Sequence, residues 1–135
     1  MKEEWGVFHN FYETPITVDG VTFKNAEWLF QLMKFKDAAI IERIWNGVTA
    51  NDKKCNDVKR TVKSYEKAYR RPDWGRMILD ALKFALTKKY EQCEFFRTEL
   101  GRSRGKYIVE DQTSFPKLQP DCWGVKPTAD GRLFR

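Results

Sequence analysis

Apolar and polar positions near the start of the chain predict a β-hairpin followed by a helix. Residues 16–23, ITVDGVTF, alternate apolar and polar side chains around Asp19-Gly20, a dipeptide typical of type I′ turns. We therefore expect two short strands there. Asn25 has the chemistry of a helix N-cap, and the apolar positions after it predict a helix that runs to about Lys36.

Helical periodicity continues through most of the remaining chain. Further helices are predicted over residues 37–46, 71–90 and 92–101, and a strand over 106–111. Glycines 47 and 101 are expected to close two of these helices. The long helix is predicted to carry Pro72 in its first turn, Lys88 and Lys89 in its last turn, and an apolar face formed by Leu79, Leu82, Ala85 and Leu86. Residues from 112 onward are expected to be loop.

The fold class that follows is α+β and predominantly helical, with a small hairpin or sheet. At 135 residues the chain has the length of one domain, and we find no repeat or linker that divides it. A single domain over residues 1–135 is the prediction.

The helix after the hairpin carries a narrow polar stripe on an otherwise apolar surface. Glu27, Gln31 and Lys34 lie within about 60° of one another on a helical wheel, and apolar residues cover most of the remaining circumference. Such a helix is predicted to be buried on most sides. Its polar groups then meet one another or a water-filled pocket. The alternative is that Glu27 only complements the helix N-terminus while the other two side chains reach solvent.

Composition and charge narrow the classes of protein. The chain is 41% hydrophobic, 15% aromatic and 33% charged, which is typical of a soluble globular protein, and no signal peptide is evident, so we expect a cytoplasmic protein without disulfides. Three scattered cysteines and one histidine give little basis for a metal site.

A net charge of +6 favours an anionic partner, and two basic runs contribute to it, residues 59–71 and 101–106. Either run could hold phosphates, or both could be solvated surface. Tyr65 and Tyr69 lie at helical spacing in the first run, so they could be core residues or a stacking platform.

An ordered set of motifs runs through nearly the whole chain. It comprises Asn10, Phe11, Tyr12, Pro15, Gly20, Glu27, Phe30, Gln31, Lys34 and Phe35, then Trp74 and Met77, ALKFALTKKYEQ, and YIVED before DCWG. This order resembles the NADAR superfamily, the YbiA-like N-glycosidases, whose members cleave bonds between ribose and a nitrogen base. The resemblance implies a hydrolase without a cofactor, acting on a phosphoribosyl compound of riboflavin synthesis or on ADP-ribosylated guanine in nucleic acid.

The resemblance also implies roles for particular residues. Glu27 is expected to act as acid/base and to stabilise positive charge on the ribose, while Lys34 either attacks C1′ or contacts a phosphate or hydroxyl. Asp121 is expected to bind ribose or protonate the base, and Trp123 of the DCWG motif, which includes Gly124, to stack on the base. The other expected ligand contacts are Asn10, Phe11 and Gln31, with Lys59, Arg60, Arg102 and Arg104 near phosphate.

Two departures from the family pattern accompany the resemblance. Trp28 occupies a position that is aromatic or histidine in the family, and the family's usual C-terminal Asn-x-x-Gly segment and last helix have no evident counterpart here. Two alternatives to an N-glycosidase therefore remain: a non-catalytic binder of ADP-ribose-like nucleotides, and a basic nucleic-acid-binding module.

Overall fold

The computed structural model describes residues 4–54, 57–110, 126–127 and 133–134. Two compact units divide the chain, residues 1–100 and 101–135. The helices are α1 (Ala26–Leu32), α2 (Ala38–Asn51), α3 (Asp57–Tyr69), α4 (Trp74–Gln92) and α5 (Glu94–Arg102). The strands are β1 (Ile16–Val18), β2 (Val21–Phe23), β3 (Lys126–Pro127) and β4 (Leu133–Phe134). The predicted fold class, α+β and mostly helical, is confirmed.

The predicted hairpin is present, with its turn at Asp19-Gly20. Strands β1 and β2 pair antiparallel, with Ile16 opposite Phe23 and Val18 opposite Val21. Asp19 and Gly20 have φ angles of 50° and 79°, the two positive values that a type I′ turn requires. The Asp-Gly dipeptide was therefore a reliable turn signal.

Helix α1 is central to the larger unit because hydrophobic clusters form on both of its sides. One cluster joins α1 to α2 and α3 through Trp28, Leu32, Phe35, Ile40, Ile44, Val48, Val58 and Val62. The other joins α1 to β1 and α4 through Ile16, Ala26, Leu29, Phe30, Trp74, Ala81 and Ala85. All seven residues of α1 are buried, as the apolar circumference predicted.

The first helix begins where predicted but ends earlier. The Asn25 side chain accepts a hydrogen bond from the backbone N–H of Trp28 at 3.0 Å, which makes it the N-cap. The predicted end at Lys36 is wrong. After Leu32, the backbone N–H groups of Lys34 and Phe35 donate to the carbonyls three residues before them, as in a 3₁₀ turn. The Lys34 carbonyl accepts a hydrogen bond from the Arg71 N–H at 2.7 Å. Asp37 is then extended and caps α2.

The predicted end of the second helix at Asn46-Gly47 is also wrong, since α2 continues to Asn51. A Cβ atom built at Gly47 would lie 3.3 Å from Cγ2 of Thr61 in α3. The glycine thus permits close packing of α2 against α3 and does not end the helix. Gly101 likewise lies inside α5 and does not close it.

Two expectations for the long helix are corrected. Pro72 precedes α4, whose N-cap is Asp73. Leu79 is 56% exposed, because the buried face runs through Trp74, Ala81, Ala85 and Lys89.

The residues after α5 also differ from their prediction. The strand predicted at 106–111 is not formed over 106–110, which follow a turn and are exposed without a strand partner in the described part of the chain. Finally, β3 and β4 pair antiparallel in the region predicted to be loop.

Candidate functional site

Glu27 and Gln31 form the buried centre of the candidate site. Both residues are 5% exposed, and Nε2 of Gln31 donates to Oε1 of Glu27 at 2.7 Å across one turn of α1. Because Glu27 lies in the first turn of the helix, the helix dipole favours its negative charge. The polar stripe therefore places a carboxylate, oriented by a neutral amide, in a largely apolar setting.

The segment with Asn10 and Phe11 lies against the start of α1. The backbone N–H of Glu27 donates to the Asn10 carbonyl at 3.1 Å, and Nδ2 of Asn25 donates to the Phe11 carbonyl at 3.2 Å. Lys59 of α3 extends over the same place, with its Nζ atom 3.8 Å from Oε1 of Glu27 and 5.3 Å from the centroid of the Phe11 ring. The predicted residues Asn10, Phe11 and Lys59 are thus brought together with Glu27.

Lys34 has a partner that the sequence did not reveal. Its ammonium group forms a hydrogen-bonded ion pair with Oε1 of Glu66 in α3, and its Nζ atom lies 6.0 Å from the centroid of the Trp74 ring. Glu66 is the one acid in the basic run 59–71, and this was the signal that could have identified it. A carboxylate of α3 thus holds the Lys34 ammonium.

Arg60 lies beside a different acid. Its guanidinium donates to Asp57 at 3.0 Å and, together with Lys53 and Lys54, lines an open pocket at the start of α3. The backbone N–H groups of Lys53 and Lys54, and then Arg60, hold the pKa of Asp57 below its usual value. The Arg60 side chain is 74% exposed and is paired with Asp57 in this structure. Its exposed position also allows contact with an anion.

Helix α3 presents a basic face to solvent. The exposed cations of what we call the α3 basic face are Lys59, Arg60, Lys63 and Lys67 on α3, and Arg70 directly after it. At 100° per residue the four on the helix fall within about 100° of one another on the helical wheel. Tyr65 packs against the first hydrophobic cluster and Tyr69 is 47% exposed, so the two tyrosines do not share one environment.

Lys89 lies in the last turn of α4, as predicted, but its burial was not foreseen. It is 0% exposed and donates from Nζ to the carbonyls of Val7 at 2.5 Å and His9 at 3.2 Å. Burial lowers its pKa to about 8, an effect partly opposed by Cys93. The signal was present in the sequence, because Lys89 continues the helical spacing of Ala81 and Ala85.

The remaining predicted site residues lie outside the described part of the chain or in the second unit. Asp121, Trp123 and Gly124 lie outside the described residues. Arg102 ends α5 and Arg104 is exposed in the turn that follows, both in the unit that begins at residue 101. Their roles stay predictions.

The described residues contain neither a metal-binding cluster nor a membrane-spanning helix. Among residues 4–54 and 57–110, no group of three or more His, Cys, Asp or Glu side chains is arranged to hold a metal ion. No helix in the described part of the chain combines the length and apolar character needed to cross a membrane.

Comparison with known proteins places this geometry in a family. The profile of the NADAR domain matches residues 1–130. The solution NMR structure of the E. coli protein YbiA is similar to this chain, with a TM-score of 0.67 and 28% sequence identity over 83% of this chain. The chain spans 63% of the length of that protein. None of the curated proteins compared with this chain matches it.

Proposed function

Because the chain belongs to the NADAR domain family, we propose that it is an N-glycosidase that hydrolyses the bond between a ribose and a nitrogen base. The substrate class is a phosphoribosyl or ADP-ribosyl compound of a base. The observation that carries the proposal is the Glu27 carboxyl, which is buried at the start of α1, bonded to Gln31 and approached by Lys59. The chemistry needs such a group, since departure of the base leaves positive charge on C1′ of the ribose.

Glu27 has two successive tasks in this reaction. In its acid form it gives its proton to the leaving nitrogen as the bond between C1′ and that nitrogen breaks. The resulting carboxylate then stabilises the positive charge on C1′ in a setting where water is largely excluded. Gln31 keeps the carboxyl oriented throughout, because its amide reaches Oε1 from one turn away.

Lys34 supplies the nucleophile in the covalent form of the mechanism. Glu66 accepts the Lys34 proton, and the free amine bonds to C1′ as the ring oxygen leaves C1′ and takes a proton, which gives an imine with the opened ribose. Water then hydrolyses the imine and returns Lys34 to its starting form. The net reaction consumes one water and releases the free base and the ribose derivative. In the alternative form, water attacks C1′ directly and Lys34 contacts a hydroxyl or phosphate.

Mass-spectrometric detection of base release tests the proposal. The two substrates are ADP-ribosylated guanine in DNA and a phosphoribosylamino-pyrimidine, and the variants are Glu27→Gln, Lys34→Ala and Glu66→Gln. Lys36→Ala is the matched control, because Lys36 follows the same helix but its side chain is 62% exposed. Release from either substrate that Glu27→Gln abolishes and Lys36→Ala leaves intact supports the proposal and identifies the substrate.

Reduction with cyanoborohydride during turnover separates the two roles of Lys34. The covalent mechanism predicts a ribosyl adduct on the peptide that carries Lys34, absent in Lys34→Ala. Release without an adduct assigns Lys34 to substrate contact. No release from either substrate, with ADP-ribose binding still measurable by calorimetry, contradicts the enzyme and favours a nucleotide binder.

The α3 basic face favours a second function, binding of nucleic acid. Four exposed cations on one side of α3, with Arg70 directly after it, form a surface suited to a phosphate backbone, and Lys59 connects this surface to Glu27. Affinity for DNA that falls steeply with salt, and with a smaller salt slope in Lys63→Gln/Lys67→Gln, supports it. If free ADP-ribose does not compete with that binding, nucleic-acid binding is independent of the Glu27 site.

A further inference from the structure

The buried ammonium of Lys89 holds the N-terminal segment against α4 and α5. Its Nζ atom donates to the carbonyls of Val7 and His9, and it lies 4.6 Å from the centroid of the Phe96 ring of α5. The Phe96 ring also contacts Phe8 edge-on, at 5.9 Å between centroids. Among the described residues, the hydrogen-bond partners of the Lys89 ammonium group are thus two main-chain carbonyls of one short segment.

The next two carbonyls of that segment hold the start of α1. The Asn10 carbonyl accepts from the backbone N–H of Glu27 at 3.1 Å, and the Phe11 carbonyl accepts from the side chain of Asn25 at 3.2 Å. Residues 7–11 are therefore bound to α4 at one end and to α1 at the other. The backbone of Glu27 is connected to Lys89 through this segment.

We propose that Lys89 is a positioning residue for Glu27, an inference that rests on the proposed function of Glu27. A methionine of similar length would fill the same volume without the cost of burying a charge. The ammonium group has three donors, and charge-assisted hydrogen bonds are about twice as strong as neutral ones, so a single side chain fixes two carbonyls of an otherwise irregular segment. The segment then holds the Glu27 backbone and places the Phe11 ring beneath Lys59.

The substitution Lys89→Met tests the proposal, because it keeps the apolar stem and removes the donors. Lys88→Met is the matched control, since Lys88 is the adjacent residue and its side chain contacts Glu91 and the Phe84 ring. The first readout is amide hydrogen exchange by NMR. We expect exchange of the Glu27 amide to accelerate at least tenfold relative to the core amides of Ile44 and Val62 in Lys89→Met, and to stay unchanged in Lys88→Met.

The second readout is turnover. In Lys89→Met we expect kcat for base release to fall about tenfold and KM to change less than threefold, because the carboxyl loses its orientation while Lys59 on α3 keeps its place. Lys89→Arg should recover part of kcat, since it restores charged donors. If wild type releases no base, the proposed function fails, whereas the amide data still decide whether Lys89 positions Glu27.

Unchanged relative protection of the Glu27 amide in folded Lys89→Met would overturn the proposal. If Lys89→Met does not fold, a protein that keeps Lys89 decides. Its lysines are labelled at Cε, and Cys93 is replaced by serine to remove the thiol one turn away. Conversion of the ammonium to the amine weakens its two hydrogen bonds. The Glu27 amide shift should therefore follow the Lys89 titration with the same midpoint. A Glu27 amide that does not respond to this titration also overturns the proposal.

Discussion

Glu27 and Lys89, two of the buried charged residues, are held in opposite ways. Glu27 is approached by side chains, the amide of Gln31 and the ammonium of Lys59, whose own side chain is 53% exposed. Lys89 is held by main-chain carbonyls of residues 7 and 9 and is fully buried. Side-chain partners can rotate toward a substrate, whereas main-chain partners move only if their segment moves. The first arrangement suits a reacting group, and the second suits a scaffold.

Glu27 and Lys89 also differ in how far their partners offset the free-energy cost of burying the charge. A buried charge costs several kcal/mol in desolvation, which its partners offset to different extents. For Lys89 the cost is evident in a pKa lowered to about 8 by burial. For Glu27, the start of α1 and a nearby cation both favour the carboxylate. A change at Glu27 should therefore lower activity with little effect on stability, whereas Lys89 should affect the pH dependence of stability.

The largest expected effect is the loss of turnover in Glu27→Gln. The amide cannot donate or accept the proton that the reaction moves, so base release should fall by about 10²- to 10⁴-fold. The free energy of unfolding should change by less than about 1 kcal/mol, since the shape is kept and only charge interactions are lost. Turnover assays and urea unfolding measure the two quantities. Strong destabilisation would show that Glu27 is part of the scaffold and would break the comparison.

The second prediction concerns the pH dependence of stability. The pKa of Lys89 is about 8 in the folded protein, against an ordinary value of 10.5 for lysine. Between these values the unfolded chain binds more protons, so the free energy of unfolding should rise with pH, by up to about 3 kcal/mol from this residue. Urea unfolding from pH 7 to pH 10 measures the rise.

The same pH series on Lys89→Met isolates this contribution, because the other lysines and tyrosines titrate in both proteins. The rise should be smaller in the variant by the amount that Lys89 supplies. Parallel curves for the two proteins would mean that burial does not perturb Lys89, which contradicts the assignment of this charge to the scaffold.

The third prediction concerns Asn25, which connects the two regions. Its Oδ1 atom caps α1 at Trp28, and its Nδ2 atom donates to the Phe11 carbonyl. Asn25→Ala removes both bonds and should lower the free energy of unfolding by about 2 kcal/mol, while Asn25→Ser keeps a cap and should lose about half as much. Equal losses in urea unfolding would mean that the cap contributes nothing, and an Asn25→Ser variant as stable as wild type would mean that the bond to Phe11 contributes nothing.

Local chemistry made much of the fold predictable from sequence. The Asp19-Gly20 turn, the Asn25 cap and the apolar circumference of α1 depend on residues close together in the chain, and all three are confirmed. The ends of α1 and α2, in contrast, depend on residues that are distant in sequence. The Arg71 N–H bonds the Lys34 carbonyl after α1, and Gly47 continues α2 because Thr61 packs closely against it.

The candidate site was predictable to a similar extent. The stripe with Glu27 and Gln31 follows from helical periodicity, and Asn10, Phe11 and Lys59 were identified from family resemblance before the structure placed them nearby. The pairing of Lys34 with Glu66 is a contact across 32 positions of sequence, which spacing on one helix does not predict. Lys89 was predicted in the last turn of α4, but its burial was not, because the favourable interaction of a cation with a helix C-terminus does not require burial.

The smallest expected effect is that of Lys59→Gln on stability, and it sharpens the contrast with Lys89. The Lys59 side chain is half exposed and 3.8 Å from Glu27, so the pair should contribute less than about 0.5 kcal/mol to folding. Because we propose that this cation contacts phosphates of the bound ligand, KM should rise about three- to tenfold, equivalent to about 0.7–1.4 kcal/mol. Lys63→Gln, an exposed cation one turn further along α3, is the matched control and should change neither quantity for a free nucleotide. A loss of more than about 1 kcal/mol of folding free energy in Lys59→Gln would instead show that this exposed lysine serves the scaffold, as Lys89 does.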